Sequence, residues 1–411
     1  MGWRLREDVD WRRAVLWLAL LVTCSAGWLF KGHCVPGGWT GGEQYTTGCY
    51  NDVMPFWSGR GVAEGKIPYL QVPIEYPVLT GAQIGVEGAA AHLLFGKHVR
   101  EGHFLGVVTI ANAAIAGLIL WMFLEAGMDR RRLWWWACAP PLILYVGHNW
   151  DLAAAALMVA ALLLARKGRL ATGAAMAALG AAAKLFPALA LPPIGLTALL
   201  TRDRPWPRRI LRAASATAAA IGSWALVNAP VALLAPQNWA QFYLFSQDRP
   251  GTAAGSWDVL GNMGWWVTST EQRNLYAAVL FLGGAAAILG IGWFRHRERM
   301  WLLTTPLLAW FMLTNKVYSP QFDLWLYPLL LMTAPRLLPV AFFVLGDVAA
   351  YFAEFWWFAG NEGLWPAASY THIALAAAFR AAAMLWLIVD CVLLAPPEWI
   401  GGGAKDSRAS S

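Results

Sequence analysis

Charge is what this 411-residue sequence has least of: Asp, Glu, Lys and Arg make up 13% of it, against about 25% in a soluble domain. That scarcity, beside 58% hydrophobic residues, excludes a water-soluble enzyme. Histidine is scarce too. None of the seven, His92, His148 and His372 included, shows the two-His spacing with a carboxylate that marks a metal site. No fixed-period repeat is present, which argues against solenoids and against transporters built from two obvious halves. The formal charge of +7 comes from Lys and Arg in short clusters between hydrophobic runs, so it reports membrane topology and predicts no nucleic-acid partner.

Long hydrophobic runs are what the sequence does have. Ala14 to Phe30, His103 to Leu124, Asn274 to Phe294 and His372 to Leu394 each approach the roughly 20 apolar residues that cross a bilayer as a helix. The first run follows Arg4, Arg6, Arg12 and Arg13, and no small-residue cleavage site follows Phe30, which reads as a retained anchor rather than a signal peptide. Further basic clusters stand at Arg130 to Arg132, Arg166 to Arg169, Arg202 to Arg212, Arg295 to Arg299 and Arg336, and the positive-inside rule puts them all in the cytoplasm.

These constraints predict an all-α polytopic membrane protein of about twelve spans, near 14–30, 104–124, 133–147, 151–166, 169–186, 188–200, 210–230, 275–294, 301–315, 323–335, 337–357 and 372–394, with both ends inside. Residues 1–395 form one domain, with long outer segments at 31–103 and 231–274 and a loose Gly- and Ser-rich cytoplasmic tail at 396–411. The apolar stretch 76–95 contains Glu87 and His92 and reads as a re-entrant or membrane-hugging part of the first outer loop. Prolines at 140, 141, 187, 192 and 193 predict broken or kinked helices. Trp134 to Trp136, Trp265 with Trp266, and Trp356 with Trp357 read as interfacial anchors.

Polar residues collect on one side of this topology. The outer segments hold Tyr50-Asn51-Asp52, Glu75-Tyr76-Pro77, His148-Asn149-Trp150-Asp151, Gln247-Asp248-Arg249 and Asn315 to Gln321, with Lys184 at the outer end of its span. Carboxylates and cations at one water–lipid boundary suit a reaction in which a base activates a hydroxyl while cations receive charge on a leaving phosphate. Asn149 and Asp151 either hold sugar hydroxyls or cap the helix starting at Leu152, and Lys184 either binds phosphate or snorkels to the interface. Cys34 and Cys49 share the first outer segment, in an oxidising compartment, and are expected to be bonded. Asp347 and Arg380 stand at similar depth in their spans and are expected to pair, with Glu354 as the competing partner.

In order and spacing, these motifs resemble the GT-C superfamily of polytopic glycosyltransferases. The likeness is closest to glycosyltransferase family 87, whose bacterial members include the polyprenyl-phosphate-mannose-dependent mannosyltransferases of actinobacteria. It rests on Tyr50-Asn51-Asp52, Ile67-Pro68-Tyr69, Glu75-Tyr76-Pro77, Gly147 to Asp151, Ala183-Lys184-Leu185-Phe186-Pro187 and Tyr318-Ser319-Pro320-Gln321. Family members often carry an aromatic residue or His where this chain has Gln321 and Phe322. The resemblance implies a GT-C-type helical bundle in the plasma membrane and an inverting transfer, on the outer face, of a sugar from a polyprenyl-phosphate donor to a glycolipid or cell-envelope glycan acceptor. Mannose is the favoured sugar, and neither a metal nor another cofactor is required. Asp52 would be the general base, with Lys184, Arg249, Lys316 and Gln321 at the donor phosphate. Asn51, Glu75, Tyr76, His148, Asn149, Asp151 and Tyr318 would contact sugar or acceptor. The competing reading is a multi-span lipid or sugar transporter. The sequence sets neither the linkage formed nor the oligomeric state.

Overall fold

The computed structural model describes residues 11–401. Arg4 and Arg6 of the first basic cluster, and the tail from 402 on, lie outside the described residues. The first half holds α1 (Trp11–Gly32), the short α2 (Glu43–Thr46) and α3 (Val53–Gly59), α4 (Val78–Phe95), α5 (Glu101–Glu125), α6 (Arg130–Ala137), α7 (Pro140–Tyr145), α8 (Asp151–Arg166), α9 (Leu170–Ala181) and α10 (Leu191–Leu200). The second half holds α11 (Trp206–Leu234), α12 (Pro236–Asp248), α13 (Ser256–Asn262), α14 (Thr270–His296), α15 (Thr304–Thr314), α16 (Asp323–Thr333), α17 (Leu338–Asn361), α18 (Tyr370–Leu393) and α19 (Glu398–Gly401). Among the described residues there is no β-strand, only an isolated bridge between Pro68 and Val72.

Among the described residues seven helices, α1, α4, α5, α11, α14, α17 and α18, are long and apolar enough to cross a bilayer. The other predicted spans are shorter. Helices α8, α9, α10, α15 and α16 run for 16, 12, 10, 11 and 11 residues, so the shortest measure only about 15 Å against a hydrocarbon core of about 30 Å. Proline is one cause. Pro140 opens α7 and separates it from α6, Pro187 lies in a 3-10 turn between α9 and α10, and Pro320 opens another before α16. Such breaks are tolerated at membrane depth where protein shields the backbone, and all eleven residues of α16 are buried.

Burial separates a core from a lipid-facing shell. Leu16, Leu20, Cys24 and Gly27 of α1 face inward while Trp17, Leu18, Leu21 and Val22 are exposed, an apolar surface that a membrane protein presents to lipid. A Cβ at Gly27 would meet a Val146 methyl at 2.5 Å, so glycine sets the close approach of α1 to α7. Helices α11 and α14 are the most peripheral, with Leu211, Leu226, Leu233, Leu282 and Phe294 outward.

The two ends of the bundle differ. At one, basic side chains cap helix carbonyls: Arg132 donates to Leu331 and Ala334 at 3.0 and 2.8 Å, Arg166 to Ala126 at 2.7 Å, Arg212 to Gly168 at 2.9 Å and Arg299 to Gly401 at 2.7 Å. These are favourable partners for the negative ends of helices. The start of α1 also lies here, with Arg13 paired to Glu125. Residues 398–401 form α19, and Ile400 is buried, so the segment expected to be loose begins as a docked helix.

At the other end stand the loops carrying Asp52, His148, Lys184 and Lys316. Helix α4 belongs to this end along its length: Leu79 and Thr80 donate to the carbonyls of Ala182 and Ala183, Glu87 accepts from the Trp150 indole, and His92 bonds the Val62 carbonyl. Its length and composition would permit a crossing, and it also packs on α5 and α11.

Three expectations need correction. Arg380 pairs with Asp323 at 2.9 Å, not with Asp347, whose carboxylate accepts from the Tyr145 hydroxyl. A Cβ at Gly346 would meet the Arg380 backbone at 2.8 Å, so α17 and α18 touch there and the guanidinium reaches past Asp347 towards α16. Trp136 is no interfacial anchor; it is fully buried and donates to the Ala116 carbonyl at 3.0 Å. Trp357 lines the cavity described next.

Candidate active site

The segment leading to Asp52 is tied down twice by the end of α1. Cys34 and Cys49 are disulfide-bonded with Cα atoms 6.6 Å apart. One helical turn earlier, the fully buried Lys31 donates to the Gly48 and Tyr50 carbonyls at 3.3 and 2.7 Å and contacts the Tyr351 hydroxyl. Three contacts match the three donors of an ammonium. Beyond the tie, Asn51 turns inward, fully buried, and its side-chain oxygen accepts from Met54 N at 3.0 Å at the start of α3. Asn51 thus does the capping, and the Asp52 carboxylate makes no cap bond.

Freed in this way, the Asp52 carboxylate faces a cavity of about 940 Å³. The Tyr50 and Tyr76 hydroxyls each donate to it at 3.3 Å, and its amide donates to the His148 carbonyl at 2.8 Å. Burial pushes the carboxyl above its usual value, while Lys184 and Arg249 pull it down and Asp151 pushes it up. The Asp52 charge in turn raises the Tyr50 phenol, which stays protonated as a donor.

Lys184, Arg249, Lys316 and Gln321 share the cavity wall. The Lys184 ammonium lies 2.6 Å from Asp151 and 4.2 Å from the centroid of the Tyr76 ring. Arg249 donates to Ser319 Oγ at 3.3 Å, and Lys316 to the Gln247 carbonyl at 2.6 Å. Burial lowers the Lys316 pKa from its ordinary value. Phe186, Phe242, Phe245 and Phe311 add apolar wall to the same cavity, with the Phe245 ring 5.9 Å from the Arg249 guanidinium.

Of the residues expected to contact sugar or acceptor, Glu75, Tyr76 and His148 line the cavity. Glu75 is gripped at both oxygens by Arg60. The His148 imidazole is held neutral by burial and by the charges of Lys31 and Lys184. Asn51, Asn149, Asp151 and Tyr318 are outside the cavity wall. Asn149 is buried and accepts from Asp151 N at 3.1 Å, starting α8. Asp151 spends one oxygen on Lys184 and the other on the Trp325 indole at 2.7 Å, so it orients Lys184. Tyr318 donates to Asp323 beneath Arg380, whose guanidinium lies 3.9 Å from its ring centroid.

Sequence reasoning passed over the Tyr50 hydroxyl, Lys31 and the cavity residue Asp258, and it named Glu354 only as a competing partner in the Asp347–Arg380 pair, whereas Glu354 lines the cavity. A lysine near the end of an apolar run was the one visible signal for Lys31. Asp258 sits in a segment without neighbouring motif residues. No protein-family model matches the chain, and no curated protein matches it.

Proposed function

We propose that this protein is a membrane glycosyltransferase that moves a sugar, mannose by preference, from a polyprenyl-phosphate donor to a glycolipid or cell-envelope glycan. The supporting observation is one cavity that unites the Asp52 carboxylate, three cationic side chains and an apolar wall. Asp52 takes the proton of the acceptor hydroxyl as its oxygen bonds to the anomeric carbon. The bond from that carbon to the phosphate oxygen breaks, and its electron pair leaves with the lipid phosphate. Attack opposite the leaving group inverts the anomeric centre. The departing phosphate passes from diester to monoester and gains negative charge, so Lys184, Arg249 and Lys316 stabilise the transition state more than the ground state. The phenylalanine wall suits the lipid that carries the phosphate. In this reading the chain crosses the membrane twelve times, the short helices being completed by their flanking turns, and Asp52 lies on the outer face.

The test is incubation of membranes containing the protein with labelled polyprenyl-phosphate sugars. The expected product is a glycosylated acceptor with inverted anomeric configuration. Movement of the labelled lipid across the membrane with no glycosidic product would support a transporter instead and overturn this reading.

A further inference from the structure

One part of the cavity wall holds a group of side chains that the transfer chemistry does not use. Glu354 of α17 is 4% exposed, lines the cavity and has no hydrogen-bond partner at Oε2. Asp258 of α13 gives one oxygen to Arg273 at 2.9 Å, and its other oxygen, also buried, has no partner. A buried acceptor left unpaired is costly and uncommon in folded proteins; the Asp258 oxygen stands against Gly251, where an added Cβ would lie 2.1 Å from it, and the Glu354 oxygen at the cavity wall marks a place where a donor-rich ligand belongs. Trp357 and Tyr370, in edge-to-face contact with centroids 5.7 Å apart, line the same cavity. Arg249 lines the same cavity as Asp52 and Glu354.

Carboxylates repel phosphate, so this part of the wall does not suit the phosphate of the donor. They accept hydrogen bonds from hydroxyls, while aromatic faces cover the C–H face of a pyranose. We propose that Asp258, Glu354, Trp357 and Tyr370 form a subsite for the hydroxyl-rich sugar of the acceptor, which presents its reacting hydroxyl to Asp52. The binding of a sugar here stands on the unpaired Glu354 oxygen and the aromatic wall; its assignment to the acceptor rests on the transferase reading.

The test uses the full chain in lipid nanodiscs and an octyl mannoside with a diazirine beside the sugar. Photolabel is expected on peptides containing residues 251–262 and 354–370, reduced about tenfold in Glu354→Leu and unchanged in Asp52→Asn. Because Oε2 of Glu354 is buried without a partner, Glu354→Leu is expected to keep the wild-type thermal midpoint or raise it; a lower midpoint would mark Glu354 as structural and overturn the proposal, as would labelling elsewhere. In transfer assays the variant raises the acceptor KM about tenfold and keeps the donor KM within about twofold. A rise in donor KM instead gives the subsite to the donor sugar and overturns the assignment. If the wild type takes label here, Glu354→Leu loses it, and no transfer occurs in either, the sugar site stands and the transferase reading falls.

Discussion

At Asp52 two neighbours, Asn51 and Tyr76, settle what an aspartate beside a short helix does. Asn51 fills the capping role, leaving the carboxylate to the cavity. Burial lifts its pKa above the ordinary aspartate value, and the Tyr76 hydroxyl, bonded to the ionised form, draws it back down. A base must be ionised to work, so activity falls as pH drops through the raised pKa, and the acid limb of kcat/KM lies above the ordinary carboxylate range. Tyr76→Phe removes a donor to the carboxylate and moves that limb to still higher pH; an unmoved limb in a pH–rate profile would count against Asp52 as the base. Asp52 itself was legible in the sequence. The division of labour between Asn51 and Asp52 was not, because both residue types cap helices and only the fold decides which side chain turns inward. The same ambiguity surrounded Asn149 and Asp151, which the structure resolves into a helix start and an orienting partner of Lys184.

Among the elements, α16 is the one most dependent on a single interaction. It is wholly buried, and its Asp323 joins Arg380 of α18 under the ring of Tyr318. Removing one member of a buried pair leaves an uncompensated charge, so Arg380→Met is expected to cost about 3–5 kcal/mol, read as a lowered thermal midpoint in detergent. Arg380→Met combined with Asp323→Leu recovers much of that loss; equal midpoints in single and double variants would contradict the pairing. Counting depth along uninterrupted spans pointed to Asp347, because such a count treats Asp323 as a span-mouth residue. The 3-10 turn Pro320–Phe322 feeds α16 into the core with Asp323 already fully buried, and a broken element defeats a ruler based on 1.5 Å per residue. A second tie between elements joins α1 to the approach of Asp52. Losing the Cys34–Cys49 bond, 15 residues apart, should cost about 3 kcal/mol. The double variant Cys34→Ser/Cys49→Ser should then be cut faster by protease within residues 35–48.

For the whole molecule, composition and hydropathy were enough to read an all-helical membrane protein, since seven helices among the described residues are long and apolar enough to cross. They could not show which apolar runs are short and enclosed, because a buried core segment and a lipid-facing one have the same residue types. The gathering of basic residues at one end, where they cap carbonyls, was legible as charge clusters. In a background without Cys24, Cys138 and Cys391, a membrane-impermeant maleimide should label Glu64→Cys in intact cells and leave Arg204→Cys unlabelled; the reverse pattern would invert the orientation and put Asp52 inside. The central claim is that Asp52 is the base of a glycosyl transfer, and the most direct measurement compares transfer rates of wild type and Asp52→Asn at saturating labelled polyprenyl-phosphate sugar, with donor binding measured alongside. The account predicts a loss of roughly 10²–10⁴-fold in kcat with donor binding retained. Transfer by Asp52→Asn at the wild-type rate would contradict it.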